Sequence, residues 1–312
     1  MKASTLLFVC PGVSSEGWVR AIRSRLPELE VRVWPEVGHT ADVDYAFVWK
    51  HPAGLLRSFP NLKGILSLGA GVESILRDPE LPPKVPVVRM VDPGLAVGMN
   101  EFVLMRVLHY HRRMPEHERF QKEHRWVPLT PPLPEQRPVG IMGLGELGAR
   151  CATTLAGLGF DTAGWTRRPK TVPGVKNFHG PEGLKPFLRR TEILVCLLPL
   201  TSETADILNR STLSELPRGA FLINVGRGAH LVDADLLEAL ERGQLAGATL
   251  DVFREEPLPL DHSFWDHPAI CVVPHVAAIT QIETAADTLV ENLRRHLSGR
   301  GFLHVADRRL GY

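Results

Sequence analysis

The stretch VGIMGLGELGARCATTLAGLGF, residues 139–160, decides the fold of the middle of this 312-residue chain. Its opening residues, Val139 to Met142, predict a short buried strand, and three glycines follow in G-x-G-x-x-G order before an apolar helical segment. At that spacing Gly143 permits a tight turn, Gly145 lets a pyrophosphate approach the main chain, and Gly148 lets the helix pack closely against the strand. The stretch therefore predicts a dinucleotide-binding unit; the alternative is a plain glycine-rich turn.

The residues beyond this loop refine the choice of dinucleotide. The main-chain amides that open the helix, near Glu146 and Leu147, would face the phosphates. The next strand, TAGWT, ends at Thr166, where an NAD site usually has an Asp or Glu that binds the ribose 2′-hydroxyl. Arg167 and Arg168 follow instead, and forked guanidinium groups suit a 2′-phosphate. We predict NADPH as the preferred cofactor and NADH as a weaker one; two solvated loop arginines are the alternative.

Length and charge restrict the class of protein. A chain of 312 residues exceeds the usual range of one domain, so two domains are expected. The formal net charge of +1 provides no basic excess to neutralise phosphates, which argues against a nucleic-acid partner. The longest apolar runs have the length of strands, so we predict no membrane segment.

The cysteines and histidines argue against a disulfide framework and a metal site. Cys10, Cys151, Cys196 and Cys271 lie far apart, mostly in apolar stretches, and form no CxxC pair. We expect buried, reduced thiols in a cytoplasmic protein. The thirteen histidines show no HExxH spacing, so no metal is predicted.

Strand and helix patterns alternate along the chain, which is typical of parallel sheets covered by helices. A long helix is expected over residues 97–113, followed by a proline-rich extended arm, PLTPPLPEQRP. The last helical stretch, QIETAADTLVENLRRHL, would return to the first part of the chain. We therefore assign 1–96 plus 281–312 to a discontinuous substrate domain and 97–280 to a dinucleotide-binding domain. The predicted fold class is α/β, with two Rossmann-like or flavodoxin-like parallel-sheet lobes and a ligand cleft between them.

Three charged or titratable groups follow three separate strands in the second half of the chain. FLINVGRGAH places Arg227 between two glycines directly after a buried strand. LDVFREEPLP places Glu255 and Glu256 after another, and VVPHVAA places His275 after a third. Individually, a solvated turn or a structural histidine explains each of them. Together they would lie at the carboxyl edge of one parallel sheet, where open α/β sheets bind ligands.

Such a trio suits hydride transfer to a 2-keto acid. Arg227 offers a cation for the substrate carboxylate and for charge that develops on the keto oxygen. His275 is the candidate proton donor, because histidine is the side chain that most readily exchanges protons near neutral pH. Glu256, bonded to the imidazole, would orient the ring and stabilise its charged form, whereas Glu255 is a neighbour without an assigned role.

Taken as a set, these motifs resemble the D-2-hydroxyacid dehydrogenase family over essentially the whole chain, and within it the glyoxylate/hydroxypyruvate reductase A branch. The stretches similar to the family are SLGAGVESIL, GIMGLGELG, LLPLTSET, LINVGRGAHLVDADLLEAL, LDVFREEPLP and PHVAAIT. The stretches similar to the branch are FVWKHP, GWTRRPK, PHVAAIT and the terminal RRLGY. Two departures from the family pattern are Glu73, where many members have Asp, and Val225-Gly226, where a small residue usually precedes the arginine.

The resemblance implies roles for further residues. Main-chain amides around Ala70, Gly71 and Val72 would hold the substrate carboxylate beside Arg227, although GAG could also be a simple turn. Trp49 would border the substrate pocket, although it could equally be a core residue. Asp251 would accept a hydrogen bond from the nicotinamide carboxamide. The other implied cofactor contacts are Leu198, Pro199, Thr204, Val225 and Gly226.

The resemblance also implies a homodimer formed through the cofactor lobes, in which the arm around Glu118 to Pro134 takes part. The predicted function is the cytoplasmic, NADPH-dependent reduction of small 2-keto acids, glyoxylate to glycolate and hydroxypyruvate to D-glycerate. One alternative is a dehydrogenase of another 2-hydroxyacid, of the phosphoglycerate or D-lactate type; Lys50 and Arg89 are the only basic residues that would favour a phosphorylated substrate. Another is a dinucleotide-sensing binding protein built on the same fold, which would not turn over keto acids.

Overall fold

A computed structural model describes residues 4–312 and divides them into two compact units. The described residues up to Leu95, together with Ile279–Tyr312, form the first unit, and Ala96–Ala278 form the second. The predicted boundaries, 96/97 and 280/281, lie one and two residues further along the chain than these divisions.

The strands of both units are short and mostly apolar. They are β1 (Thr5–Val9), β2 (Glu30–Val33), β3 (Val43–Val48), β4 (Gly64–Ser67), β5 (Val87–Val88), β6 (Val139–Met142), β7 (Thr162–Thr166), β8 (Lys176–His179), β9 (Ile193–Cys196), β10 (Ala220–Asn224), β11 (Leu245–Leu250) and β12 (Ile270–Val272). The α-helices are α1 (Ser15–Arg25), α2 (Glu73–Leu76), α3 (Pro93–His111), α4 (Met114–Lys122), α5 (Glu146–Gly157), α6 (Gly180–Arg189), α7 (Arg210–Ser214), α8 (Asp233–Glu241) and α9 (Ile282–Leu297).

The first unit contains a parallel sheet in the order β2-β1-β3-β4-β5. Every residue of its interior strand β1 is buried, as expected for a strand covered on both faces. The last helix, α9, packs on α1: a methyl group on Gly17 would lie 2.8 Å from the Ile282 side chain. Arg25 of α1 also binds Asp287 of α9 at 2.5 Å, so the C-terminal helix completes a unit that begins with the N-terminal strand.

The second unit contains a seven-stranded parallel sheet in the order β12-β11-β10-β9-β6-β7-β8. When the sheet is read from its β8 edge and β6 is counted as the first strand, the order is 3-2-1-4-5-6-7. This order extends the doubly wound dinucleotide-binding arrangement by one strand. The direction of winding reverses between β6 and β9, and the glycine loop follows β6 at that point. The topology therefore places residues 143–148 where open α/β sheets bind their ligands.

Three details of the elements from α3 to β8 differ from the sequence-based expectations. The edge strand β8, KNFH, was not predicted, because it is polar and largely exposed and lacks an apolar pattern. The long helix α3 occupies Pro93–His111 rather than 97–113, and a proline is well suited to the first turn of a helix. The arm expected from Glu118 to Pro134 is helical at its beginning, where α4 extends to Lys122; residues 125–133 contain neither helix nor strand.

The helix α3 is fixed to the sheet by a buried aromatic and polar cluster. The Tyr110 ring stacks on Phe221 with centroids 4.3 Å apart. The Tyr110 hydroxyl and the Thr249 Oγ1 atom lie 2.7 Å apart, and Arg106 Nε donates to the same Thr249 oxygen at 3.0 Å. Burial raises the pKa of Tyr110 to about 12, so the phenol remains a neutral hydrogen-bonding group.

The four cysteines are free thiols. Cys10, Cys151 and Cys196 are buried, as predicted, whereas Cys271 is half-buried. Burial raises the pKa of Cys151 and of Cys196 to about 12, which keeps both thiols protonated and poorly nucleophilic. Within residues 4–312, none of the helices has the length and apolarity that crossing a membrane would require.

Candidate active site

The glycine loop between β6 and α5 is shaped by close contacts between main-chain atoms. Gly143 has a φ of +96°, a backbone conformation that residues with a side chain rarely adopt. A methyl group on Gly148 would lie 1.9 Å from the Gly143 carbonyl oxygen, so only glycine lets α5 approach the loop this closely. At Gly145, by contrast, a methyl group would meet no heavy atom within 4 Å. The loop thus leaves open space beside Gly145, at the N-terminus of α5, where a pyrophosphate would fit.

The end of β7 carries several cations and no carboxylate. Thr166 Oγ1 donates to the Arg168 carbonyl oxygen at 2.6 Å, which turns the chain sharply after the strand. Arg167 and Arg168 are exposed, and an Arg167 Nη1 atom lies 3.7 Å from the Glu203 carboxylate. Lys170, the last residue of GWTRRPK, was not among the predicted site residues, and its ammonium group donates to the Leu144 carbonyl of the glycine loop.

The loop after β9 is braced by one threonine. Thr204 Oγ1 donates to the Pro199 carbonyl oxygen at 2.6 Å and accepts from the Thr201 amide at 2.8 Å. Leu198, at the start of the same loop, has a buried side chain. This loop lies at the carboxyl end of β9, beside the glycine loop after β6, because β6 and β9 are neighbours in the sheet.

The loop that carries Arg227 is held by side chains that bind its main chain. The buried Asn224, at the end of β10, accepts from the Gly226 amide at 3.2 Å and donates to the Arg227 carbonyl at 3.2 Å. The Arg227 amide donates to His230 Nδ1 at 3.0 Å. A methyl group on Gly226 would lie 2.9 Å from His230 Nδ1, and one on Gly228 would lie 1.8 Å from the Phe253 carbonyl carbon. Both glycines that flank the arginine are therefore needed for packing within the unit.

His275 and Glu256 form a direct pair. The His275 Nδ1 atom lies 2.9 Å from the Glu256 Oε2 atom, and Glu256 Oε1 accepts from the Phe253 amide at 3.1 Å. A carboxylate can only accept at that position, so Nδ1 donates to it and Nε2 is the ring nitrogen that can deliver a proton to a substrate. The His275 side chain is 34% exposed and that of Glu256 23%, so the pair is accessible but partly desolvated.

Asp251 anchors the segment that follows His275. Its Oδ1 atom accepts from the Val276 amide at 2.8 Å, and both of its oxygens lie 3.1 Å from the Ala277 amide. Burial raises the pKa of Asp251, although these amide bonds and the nearby His275 oppose the shift. His275 has a φ of +54°, a conformation that is uncommon for residues other than glycine. The Asp251 carboxylate, through its bonds to the next two amides, thus helps to hold His275 in this uncommon backbone conformation. The predicted contact of Asp251 with nicotinamide stays a prediction.

The residues predicted to bind the substrate through their amides belong to the first unit. Ala70, Gly71 and Val72 follow β4, and the Ser67 hydroxyl donates to the Gly71 carbonyl at 3.2 Å. Trp49, at the end of the neighbouring strand β3, packs over this loop: a methyl group on Gly69 would lie 2.6 Å from its ring. The fold therefore brings Trp49 and the GAG loop together at the carboxyl edge of their sheet.

Comparisons with known proteins agree with this architecture. Residues 104–277 match the family model described as D-isomer specific 2-hydroxyacid dehydrogenase, NAD binding domain. The chain belongs to the D-isomer specific 2-hydroxyacid dehydrogenase family. A relative from Yersinia enterocolitica, named glyoxylate/hydroxypyruvate reductase A, is 44% identical over 98% of this chain and 99% of its own length.

Solved structures of family members are also similar over nearly the whole chain. A D-isomer specific 2-hydroxyacid dehydrogenase from Xanthobacter autotrophicus, in complex with NADPH and MES, has a TM-score of 0.96 and 43% identity, and the match covers 99% of this chain and 100% of that one. An NADPH-dependent glyoxylate/hydroxypyruvate reductase from Sinorhizobium meliloti, in complex with NADP and sulfate, has a TM-score of 0.93 and 38% identity over 99% and 100% of the two chains. The recognition of the family from its motifs is thus confirmed.

An added methyl group should have different effects at Gly148 and at Gly145 of the loop. Gly148→Ala forces the helix away from the Gly143 carbonyl, and we expect a loss of about 1–3 kcal/mol of stability, as for other overpacked sites. Gly145→Ala should leave the melting temperature unchanged but weaken dinucleotide binding at least about tenfold, because the methyl group occupies the space beside the phosphates. Thermal unfolding and titration of protein fluorescence with NADPH and NADH measure the two effects.

Gly157→Ala is the matched control, since Gly157 lies on the same helix and an added methyl group there meets no atom within 4 Å. It should leave dinucleotide binding unchanged and should not lower the melting temperature, because alanine favours a helix more than glycine does. Wild-type dinucleotide affinity in Gly145→Ala would show that the open space is not the phosphate site.

Proposed function

We propose that this protein reduces small 2-keto acids with NADPH, converting glyoxylate to glycolate and hydroxypyruvate to D-glycerate. The observation that carries the proposal is the 2.9 Å pair of His275 and Glu256, at the edge of the sheet that also presents Arg227. The Yersinia and Sinorhizobium relatives, both named glyoxylate/hydroxypyruvate reductases, support the substrate class, and two solved structures, in complex with NADPH and with NADP, support the cofactor.

Each residue of the trio has a distinct role in this proposal. Arg227 binds the substrate carboxylate and stabilises negative charge on the keto oxygen. His275 holds a proton on Nε2 and gives it to that oxygen. Glu256 orients the imidazole through Nδ1 and stabilises its positive charge until the proton has been given up. In this family the bound nicotinamide supplies the hydride that the keto carbon accepts.

The cofactor is proposed to lie along the carboxyl edge of the seven-stranded sheet. Gly143, Gly145, Glu146, Leu147 and Gly148 would bind the pyrophosphate, while Thr166, Arg167 and Arg168 would bind the ribose and its 2′-phosphate. The space beside Gly145 and the cations after β7 support this assignment. On the substrate side we propose the amides of Ala70, Gly71 and Val72, with Trp49 limiting the size of the pocket.

Removal of the proton donor or of the carboxylate-binding cation should abolish most turnover without loss of the fold. We expect His275→Gln to lower kcat by about 10²–10⁴-fold, the usual contribution of a general acid. Arg227→Gln should lower kcat/KM by at least about 10²-fold, because a charged hydrogen-bonding partner of the substrate is lost. The measurement is the oxidation of NADPH on addition of glyoxylate or hydroxypyruvate.

His179→Gln and Arg112→Gln, at exposed positions of the same unit, are the matched controls and should leave turnover unchanged. Near-wild-type turnover in His275→Gln or Arg227→Gln refutes the assigned roles. Absence of turnover in the wild-type protein, with NADPH still bound, would favour a larger substrate or a sensing role.

The arginines after β7 should select NADPH over NADH. Loss of a charge-assisted hydrogen bond costs about 1.5–3 kcal/mol, so Arg167→Ala and Arg168→Ala should each raise the Kd of NADPH by about ten- to a hundredfold. The Kd of NADH should stay within about twofold, because NADH has no 2′-phosphate for these groups to bind. Arg189→Ala, at an exposed arginine that ends α6, should affect neither cofactor. An equal loss of affinity for both cofactors in the Arg167 or Arg168 variants would contradict the assignment.

We also propose that the protein is a homodimer and that the partner covers an apolar surface on α3 and the arm. Met105 and Leu108, three residues apart on α3, are 52% and 36% exposed, while Trp126 and Leu133 of the arm are 99% and 58% exposed. In the proposed dimer the partner removes these four side chains from water, which stabilises the association. A second copy of this chain is the occupant that the family resemblance favours.

The variant Met105→Glu/Trp126→Glu should convert a dimer of the 34.6 kDa chain into a monomer, as measured by sedimentation equilibrium. Leu260→Glu, at a leucine outside this surface that is 97% exposed, should remain dimeric. A monomeric wild-type protein would rule the proposal out. We further propose a cytoplasmic location, supported by the four free thiols, which cell fractionation would test.

A further inference from the structure

His230 is a fully buried histidine whose two ring nitrogens face two different loops. The ring has no solvent exposure and ends the short 3₁₀ turn Gly228–His230. Its Nδ1 atom lies 3.0 Å from the Arg227 amide nitrogen, and its Nε2 atom lies 3.3 Å from the Pro199 carbonyl oxygen. Because an amide can only donate, Nδ1 must accept, and the ring is therefore neutral with its hydrogen on Nε2.

This tautomer completes both contacts at once. The Nε2–H group donates to Pro199, whose carbonyl also accepts from Thr204 in the loop after β9. The Nδ1 lone pair fixes the amide of the residue that is proposed to bind the substrate. The strands β9 and β10 are parallel neighbours, so the imidazole joins the loops that follow two adjacent strands.

The 3₁₀ turn that carries His230 is held by main-chain hydrogen bonds as well as by the imidazole. The His230 carbonyl accepts from the Leu208 amide at 2.8 Å, and the Ala229 carbonyl accepts from the Asp206 amide at 2.9 Å. These main-chain bonds also hold the 3₁₀ turn when the side chain of residue 230 is changed to another polar one. Gly226 leaves room for the ring, since a methyl group there would lie 2.9 Å from Nδ1. The Cys196 Sγ atom lies 3.8 Å from the same Nδ1 atom, and the two shorter contacts of the ring set the position of the Arg227 main chain relative to the loop of Pro199.

We propose that His230 is a positioning residue that orients Arg227 for the substrate and couples it to the cofactor-side loop around Pro199. The inference rests on the proposed function, in which Arg227 binds the keto acid and Pro199 lies on the cofactor side. A charged ring would present N–H groups to both loops and break the contact with the Arg227 amide. Only the neutral ring serves both loops.

Two conservative variants separate the two bonds. In His230→Asn, the amide oxygen lies near the position of Nδ1 and can accept from Arg227, but the side chain does not reach Pro199. In His230→Gln, the amide nitrogen reaches the position of Nε2 and can donate to Pro199, but no acceptor remains for Arg227. The pair changes one contact at a time in a side chain of similar polarity.

We expect His230→Gln to lower kcat/KM for glyoxylate at least about tenfold, which corresponds to the loss of one buried hydrogen bond, while the Kd of NADPH stays within about twofold. His230→Asn should show the opposite pattern: kcat/KM at saturating NADPH within about threefold of wild type, and an NADPH Kd raised about threefold or more. Circular dichroism and thermal unfolding verify that both variants are folded. Similar losses in both quantities for both variants, or no change in either, would overturn the proposal.

A measurement independent of turnover keeps this inference distinct from the proposed function. Imidazole ¹⁵N NMR of the wild-type protein at pH 7 should show His230 as a neutral ring with its hydrogen on Nε2. A hydrogen on Nδ1, or a charged ring, would overturn the inference even if the enzyme is active. Conversely, a wild-type protein that lacks turnover but shows this tautomer and the predicted NADPH affinities would refute the proposed function and leave the link between the loops intact.

Discussion

The parallel pairing of β10, β11 and β12 is the constraint on which the candidate active site depends. Asn224 at the end of β10 is level with Leu250 at the end of β11, which is level with Val272 at the end of β12. Because neighbouring parallel strands end at the same edge, the residues that follow them are brought to one place. A shift of one residue in this pairing would turn every buried side chain of the shifted strand to the opposite face, so the core and the site are specified together.

Buried polar side chains hold the loops at this edge. Asn224, His230 and Asp251 are almost fully buried, and each uses its hydrogen-bonding groups on main-chain atoms of a loop. A buried polar group without a partner costs about 1–3 kcal/mol, so each loop is strongly held in the one conformation that satisfies these groups. Arg227 and His275 remain partly exposed on loops that cannot easily move. This division between buried anchors and accessible side chains is the preorganisation that the proposed proton transfer and carboxylate binding would require.

Much of the fold could be predicted because its patterns are local. The strand before Gly143, the glycine spacing and the strand that ends at Thr166 depend on neighbours within a few residues, and the structure places each as expected. The edge strand β8 was missed, since a polar strand at the rim of a sheet has no apolar repeat to reveal it. The helical beginning of the arm was missed for a similar reason: in α4 only Phe120 is buried, so no apolar stripe marks the helix.

By itself, the sequence determined the class of fold and predicted the dinucleotide loop and the three candidate reactive residues, because these follow from local periodicity, glycine chemistry and the types of side chain after each strand. The tertiary structure alone decided which groups hold the reactive residues in place. Asp251 contacts an amide 25 residues away, and His230 contacts a carbonyl 31 residues away. Such contacts join a side chain to a main-chain group, and every residue except proline carries the same main-chain groups. Only the folding of the sheet, which brings distant loops to one edge, selects the partner.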